Sequence, residues 1–212
     1  GSGCPGERGG LLPYRDRWRD IELATLSYGY GLSVTTLQLA QAYTVFANKG
    51  EFKPVSLLRQ KEPVSGVQVM QADTASKLIT MLEKVVTKGG TGTRASVPSY
   101  RVAGKTGTVH KLSEGGYQAG KYMSLFAGVA PVTNPRVVAV VLIDEPSGKE
   151  YYGGEVAAPV FSRVVAGALR LLNVSPDRFD TNNQAFQQSK HNVLSVLPAP
   201  LTGQYATGDQ SA

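Results

Sequence analysis

Cysteine and histidine are nearly absent from this chain of 212 residues, which holds one Cys (Cys4) and two His (His110 and His191). A tetrahedral zinc site gathers about four Cys, His or carboxylate ligands in one place, and ligands this few and this far apart match none of the common spacings. One thiol cannot form a disulfide within the chain, and Cys4 reads as a bystander in its loop. With only two imidazoles on offer for a Ser-His-Asp triad, any hydrolytic or acyl-transfer chemistry shifts towards Lys, Ser, Thr and Tyr. Long apolar runs are also lacking. The longest aliphatic stretch, Val137 to Ile143, falls far short of the ~20 residues that cross a bilayer, and no secretory leader is expected at the start of the sequence.

Charged residues are sparse too, at 18% against a usual ~25%. A hydrophobic fraction of 42% is enough for a core, and 24 glycines imply many tight turns. The 22 basic residues outnumber the 16 acidic ones by six. That whole excess lies between Lys84 and Lys121, where Lys84, Lys88, Arg94, Arg101, Lys105, Lys111 and Lys121 face the single acid Glu114. A focused basic segment suits an anionic partner. Its charges are spread through Gly-rich turns without an aromatic-basic stripe, so nucleic acid is not expected as that partner.

The first twenty residues read as a loop, with Trp18 anchoring it. Leu39, Ala42, Tyr43 and Phe46 recur at helical spacing after Thr35 or Thr36 as a cap and before Gly50 as a stop, which predicts the first helix. A second helix starts near Asp73, carries Ala75, Leu78, Ile79, Leu82, Val85 and Val86 on one stripe, and ends at Gly89-Gly90. Three strands follow, Tyr100–Thr108, Tyr122–Val129 and Arg136–Asp144, joined by a Gly-rich connection and by an Asn134-Pro135 turn that favour antiparallel neighbours. The third strand has no polar alternation, so both its faces should be covered. A third helix, Ala157 to Leu172, should pack on the sheet. These elements predict an α+β fold, an antiparallel sheet flanked by helices, over residues 1–176. The composition of 177–212 predicts a flexible polar tail.

Gly104-Lys105-Thr106-Gly107-Thr108 admits two readings. A phosphate-binding loop needs a Gly where Ser99 stands and a helix where Val109 to Gly116 follow, and neither requirement is met. The other reading is the K-T-G triad of the serine acyl-transferases that bind penicillin. A peptide substrate can pair with an edge strand of this kind. Lys105 would supply fixed positive charge and Thr106 a hydroxyl. Gly107 would let the backbone approach the reacting carbonyl, and the Thr108 N–H would be one donor to the developing oxyanion.

The stretches ERGGLLP, ATLSYGYGLSVTTLQLAQAY, VAGKTGT, SLFAGVAP, VVLIDEP and YYGGEVAAPVF, in this order, resemble the C-terminal half of the transpeptidase domain of class B penicillin-binding proteins. The Tyr28-Gly29-Tyr30-Gly31 segment favours the division-specific, septal type. The resemblance implies a penicillin-binding transpeptidase (serine β-lactamase-like) fold, present in part, with no cofactor and no metal. It implies that Lys105 and Thr108 serve catalysis, while Thr106, Gly107, Tyr122, Tyr152, Tyr30 and Tyr28 bind substrate. His110 would point from the same strand end.

The partners implied are peptidoglycan stem peptides ending in a D-Ala-D-Ala carboxylate, β-lactams, and division-complex membrane proteins. The location implied is the periplasmic face of the inner membrane. The family's S-x-x-K and S-x-N motifs occur at none of the serines here, so the chain alone is expected to be inactive. The alternative is a non-catalytic, penicillin-recognising sensor of the same fold. The residues upstream of Gly1 would discriminate the two.

Overall fold

The computed structural model describes residues 5–62, 64–113 and 116–178, with the side chains of 112–119 outside that description. At its centre is a three-stranded antiparallel sheet in the order β3-β4-β5, made of β3 (Ala103–Ser113), β4 (Gly116–Ala130) and β5 (Val137–Asp144). Each strand pairs with its neighbour in sequence, as short connections dictate. The β3–β4 hairpin is longer than the sequence pattern predicts. The strand runs on through residues 116–120, pairing Tyr117 with Leu112 and Gly116 with Ser113 after a register shift between His110 and Leu112, where the facing strand satisfies backbone groups in spite of the low strand preference of glycine.

Helices cover both faces. α2 (Thr36–Ala47) begins at a capping box, in which the Thr35 hydroxyl accepts from the Gln38 N–H and the Gln38 side chain accepts from the Thr35 N–H. α3 (Ala72–Val86) joins α2 on the same side of the sheet. α5 (Ala158–Leu171) lies on the opposite side. A minor two-stranded sheet, β1 (Glu51–Phe52) with β2 (Val67–Gln68), connects α2 to α3.

The lack of alternation in β5 has the predicted cause. Ala139, Val141 and Ile143 pack with Phe126, Phe161, Val165 and Leu169 beneath α5, while Val138 and Val140 pack with Tyr43, Ile79, Ala127 and Val129 beneath α2 and α3. Phe126 and Phe161 are fully buried and meet edge to face at 4.8 Å.

Two helices were missed by periodicity. α1 (Asp20–Ser27) lies between the N-terminal loop and the Thr35 helix, where the sequence pattern assigns no element, so the Thr35 helix is not the first. The Glu22 carboxylate caps its first turn by accepting from the Arg19 N–H at 3.0 Å, and the helix buries no residue, which leaves no apolar stripe to find. α4 (Gly153–Val156) is a single turn directly before α5.

At the C-terminal end, the Tyr100 hydroxyl donates to the Val174 carbonyl at 2.6 Å. Asp177 accepts from the Arg101 N–H at 2.7 Å and from the Thr133 N–H and hydroxyl at 3.1 and 3.0 Å. The packed unit therefore extends past Pro176, to Arg178, and the rest of the expected tail lies outside the described residues, as does Cys4. No helix among the described residues is long and apolar enough to cross a membrane.

Candidate active site

One edge of β3 pairs with β4, and the other has no partner strand among the described residues. Side chains alternate along it, so Lys105 and Gly107 face the α3 side while Thr106 and Thr108 face the α5 side. The flexible Lys105 stem folds back across the open edge. Its ammonium donates to the Thr106 hydroxyl at 3.2 Å and to the Thr106 carbonyl at 3.1 Å. A third polar group joins from the turn after α3, where the Thr91 hydroxyl lies 3.0 Å from that of Thr106. One ammonium and two hydroxyls thus meet at the exposed edge.

α4 seals the other side of this edge. The Gly153 N–H donates to the Thr108 hydroxyl at 3.1 Å. A Cβ on Gly153 would run into the carbonyl oxygens of Gly107 and Leu125, and one on Gly154 into that of Thr91. Only paired glycines let the α4 turn settle against two other backbones at once. Between them opens a hollow of about 280 Å³, lined by Thr91, Thr106, Thr108, Tyr152, Glu155 and the two glycines.

Aromatic rings continue the wall along the outer half of β3. His110 lies 4.3 Å from Tyr122, Tyr122 stacks on Tyr151 at 4.0 Å, and Tyr151 leans on Tyr152 at 4.4 Å. The buried Ser124 hydroxyl donates to the Tyr151 carbonyl and fixes the loop that carries these rings.

Of the residues singled out from sequence, the structure brings together Lys105, Thr106, Gly107, Thr108 and Tyr152, with Tyr122 further out beyond the Tyr151 ring. Tyr28 and Tyr30 stand apart from them. They pack edge to face on each other at 5.6 Å beyond α1, and neither makes a ring contact or side-chain hydrogen bond to β3 among the described residues. Thr91, Arg94, Gly153, Gly154 and Glu155 were not predicted as site residues. The two Gly doublets, Gly89-Gly90 before Thr91 and Gly153-Gly154, are the one signal in the sequence that backbones approach closely at both places.

The basic segment is corrected as well. Arg94 pairs with Glu155 at 2.8 Å, Arg101 with Glu83 at 2.6 Å, Lys111 with Asp144 and Glu145 at 2.9 Å each, and Lys121 with Glu145 at 3.5 Å. Acids from outside the segment cancel much of its charge. Of the segment's cations, Lys84, Lys88 and Lys105 have no carboxylate within ion-pair distance among the described residues, and Lys105 is the one that stands on the β3 edge.

A sheet of this topology with a Lys-Thr-Gly-Thr edge defines a class. The chain belongs to the penicillin-binding protein transpeptidase domain family, whose model matches residues 1–166. Within that family its relatives are of the class B, FtsI-like kind. It is 48% identical over 177 residues to a Neisseria flavescens protein named probable peptidoglycan D,D-transpeptidase PenA, covering 84% of this chain and 44% of that one. It is 43% identical over 182 residues to Escherichia coli K12 peptidoglycan D,D-transpeptidase FtsI, covering 86% and 31%. The chain therefore spans less than half of these curated relatives. A solved apo transpeptidase domain of Burkholderia pseudomallei penicillin-binding protein 3 superposes with a TM-score of 0.79 at 46% identity, over 84% of this chain and 55% of that one.

Proposed function

We propose that this chain is the K-T-G-bearing part of a peptidoglycan D,D-transpeptidase of septal wall synthesis, anchored in the inner membrane with this domain on the periplasmic face. The observation that carries the reading is the ammonium-and-hydroxyl cluster of Lys105, Thr106 and Thr91 on an open strand edge beside Thr108. Such a cluster suits the carboxylate of a D-Ala-D-Ala terminus or of a β-lactam. The 43% identity to a protein named FtsI supports the septal type.

In the full-length protein a serine outside this chain attacks the carbonyl between the two terminal D-alanines. The C–N bond breaks, the last D-alanine leaves with a proton as the free amine, and an acyl-enzyme ester remains. The Thr108 N–H donates to the oxyanion, Lys105 and Thr106 hold the carboxylate, and Gly107 gives the scissile bond room. Tyr122 and Tyr152 flank the donor peptide. Attack by an amine of a second stem peptide forms the cross-link, whereas attack by water amounts to carboxypeptidation. A β-lactam traps the ester. Separated from the serine, this chain is inactive.

Labelling the full-length protein with a fluorescent penicillin is expected to give a hydroxylamine-sensitive covalent adduct, and Lys105→Ala to slow acylation by about 100-fold or more. Absence of the adduct from the folded parent would refute the proposed function, and an unchanged rate in the variant would refute the role given to Lys105.

A further inference from the structure

Glu155 is misplaced for a hollow that receives an anion. Glu155 lines that hollow together with Thr91, Thr106 and Thr108, beside the Lys105 ammonium that donates to the Thr106 hydroxyl. A lone carboxylate there would offset the Lys105 charge and repel the incoming carboxylate. The structure supplies a counter-charge: Arg94, in the 3-10 turn Thr93–Ala95, places Nη2 2.8 Å from Glu155 Oε2. With the pair intact, Lys105, Arg94 and Glu155 sum to one positive charge at the cleft. Without Arg94 they sum to zero.

We infer that Arg94 is a charge-balancing, positioning residue for acylation: it neutralises Glu155 and so keeps the hollow beside Thr106 receptive to carboxylate-bearing ligands. The inference rests on the proposed function, since it takes the K-T-G edge as the carboxylate-binding side.

A purely mechanical reading, in which the pair staples the turn to α4, fits the structure less well. Close packing of Gly154 on the Thr91 carbonyl already joins those elements. Arg94 and Glu155 are also 58% and 37% exposed, and pairs that open to water add little to stability. Charge reaches further than contact does: a carboxylate left without its partner acts on an incoming anion across several ångströms, weakened but not abolished by solvent.

The test is the second-order rate of acylation of the full-length protein by benzylpenicillin, whose one carboxylate is its only charge at neutral pH, read by back-titration with fluorescent penicillin. Arg94→Gln is expected to slow acylation roughly five- to tenfold at low salt, with the penalty shrinking as NaCl shortens the screening length. The double variant Arg94→Gln/Glu155→Gln is expected to recover to within about twofold of the parent, since the repelling charge leaves with its partner. Thermal unfolding of both variants controls for folding.

An Arg94→Gln protein that acylates at the parental rate overturns the inference, as does a double variant as slow as the single one, which would mark a mechanical staple. A parent that takes up no penicillin overturns the functional reading and this inference with it. A labelled parent with an unaffected Arg94→Gln overturns the inference alone.

Discussion

The inner half of β3, Ala103 to Thr108, and its outer half, from Val109, are held in place by opposite means. Around the inner half, backbone touches backbone: Gly153 rests on the Gly107 and Leu125 carbonyls, Gly154 on that of Thr91, and a Cβ on Gly104 would come within 2.6 Å of the Ala127 carbonyl oxygen. Around the outer half, side chains reach across open ground. Lys111 spans to Asp144 and Glu145, and His110 and Tyr122 lean together. The difference shows where placement is decided. Steric contact acts at short range and is indifferent to salt and pH, so it suits atoms whose positions must not shift. Charge contact tolerates displacement and responds to both.

Substitutions can break or sharpen this contrast. The largest effect is expected from Gly153→Ala, because its Cβ meets carbonyl oxygens that have no freedom to turn. A loss of about 3 kcal/mol in unfolding free energy together with near-complete loss of penicillin acylation is expected, measured by denaturant titration and labelling of the full-length protein. A tolerated Gly153→Ala would mean that the inner half is not sterically set. Gly107→Ala sharpens the contrast. Its Cβ meets Leu125 Cγ at 2.8 Å, a side chain that can rotate away, so the loss of stability should stay near ~1 kcal/mol.

Lys111→Met should cost least, and the cost should depend on conditions. Hydrogen bonding from Lys111 holds the Glu145 carboxyl below its ordinary value, and Glu145 together with Asp144 holds the Lys111 amine above its own. A depressed carboxylate contributes stability above its unfolded pKa of about 4.3 and loses it as pH falls through the folded value. A raised amine contributes below about 10.4 and loses it as pH climbs through the folded value. The melting-temperature gap between parent and Lys111→Met should therefore be steady between these limits, close in acid, and narrow with salt. A gap that persists at low pH would assign the effect to packing.

Most of the fold was legible because it follows local periodicity. The stripes of α2, α3 and α5 and the unbroken aliphatic run of β5 give their positions away. α1 was not legible, since its eight residues bury nothing and stand on a cap rather than a stripe. α4 begins with two glycines, and only tertiary contact makes them helical. The candidate site's edge was readable as a motif around Lys105. Its neighbours were not, because Thr91, Arg94 and Glu155 reach it from distant segments, and no spacing rule connects an arginine in one turn with a glutamate in another. Partner choice among charges escaped for the same reason: composition located the basic residues, while the fold supplied their acids from elsewhere.

The two-sided burial of β5 also has a consequence for how the strand finds its alignment. Alternation normally encodes register, because a slip by one residue exchanges buried and solvent faces. In β5 both residue sets are aliphatic and each feeds a core, so a slipped strand would still bury oil on both sides. The information must come from the strand's ends. At one end the Arg136 N–H donates to the Ala130 carbonyl across the turn, and at the other the Glu145 N–H donates to the Tyr122 carbonyl while Asp144 and Glu145 receive Lys111. Lys111 then acts as an alignment mark, whose value lies in excluding the neighbouring register more than in its own small energy. Amide exchange along β5 in Lys111→Met, faster than the stability loss explains, would reveal such slippage.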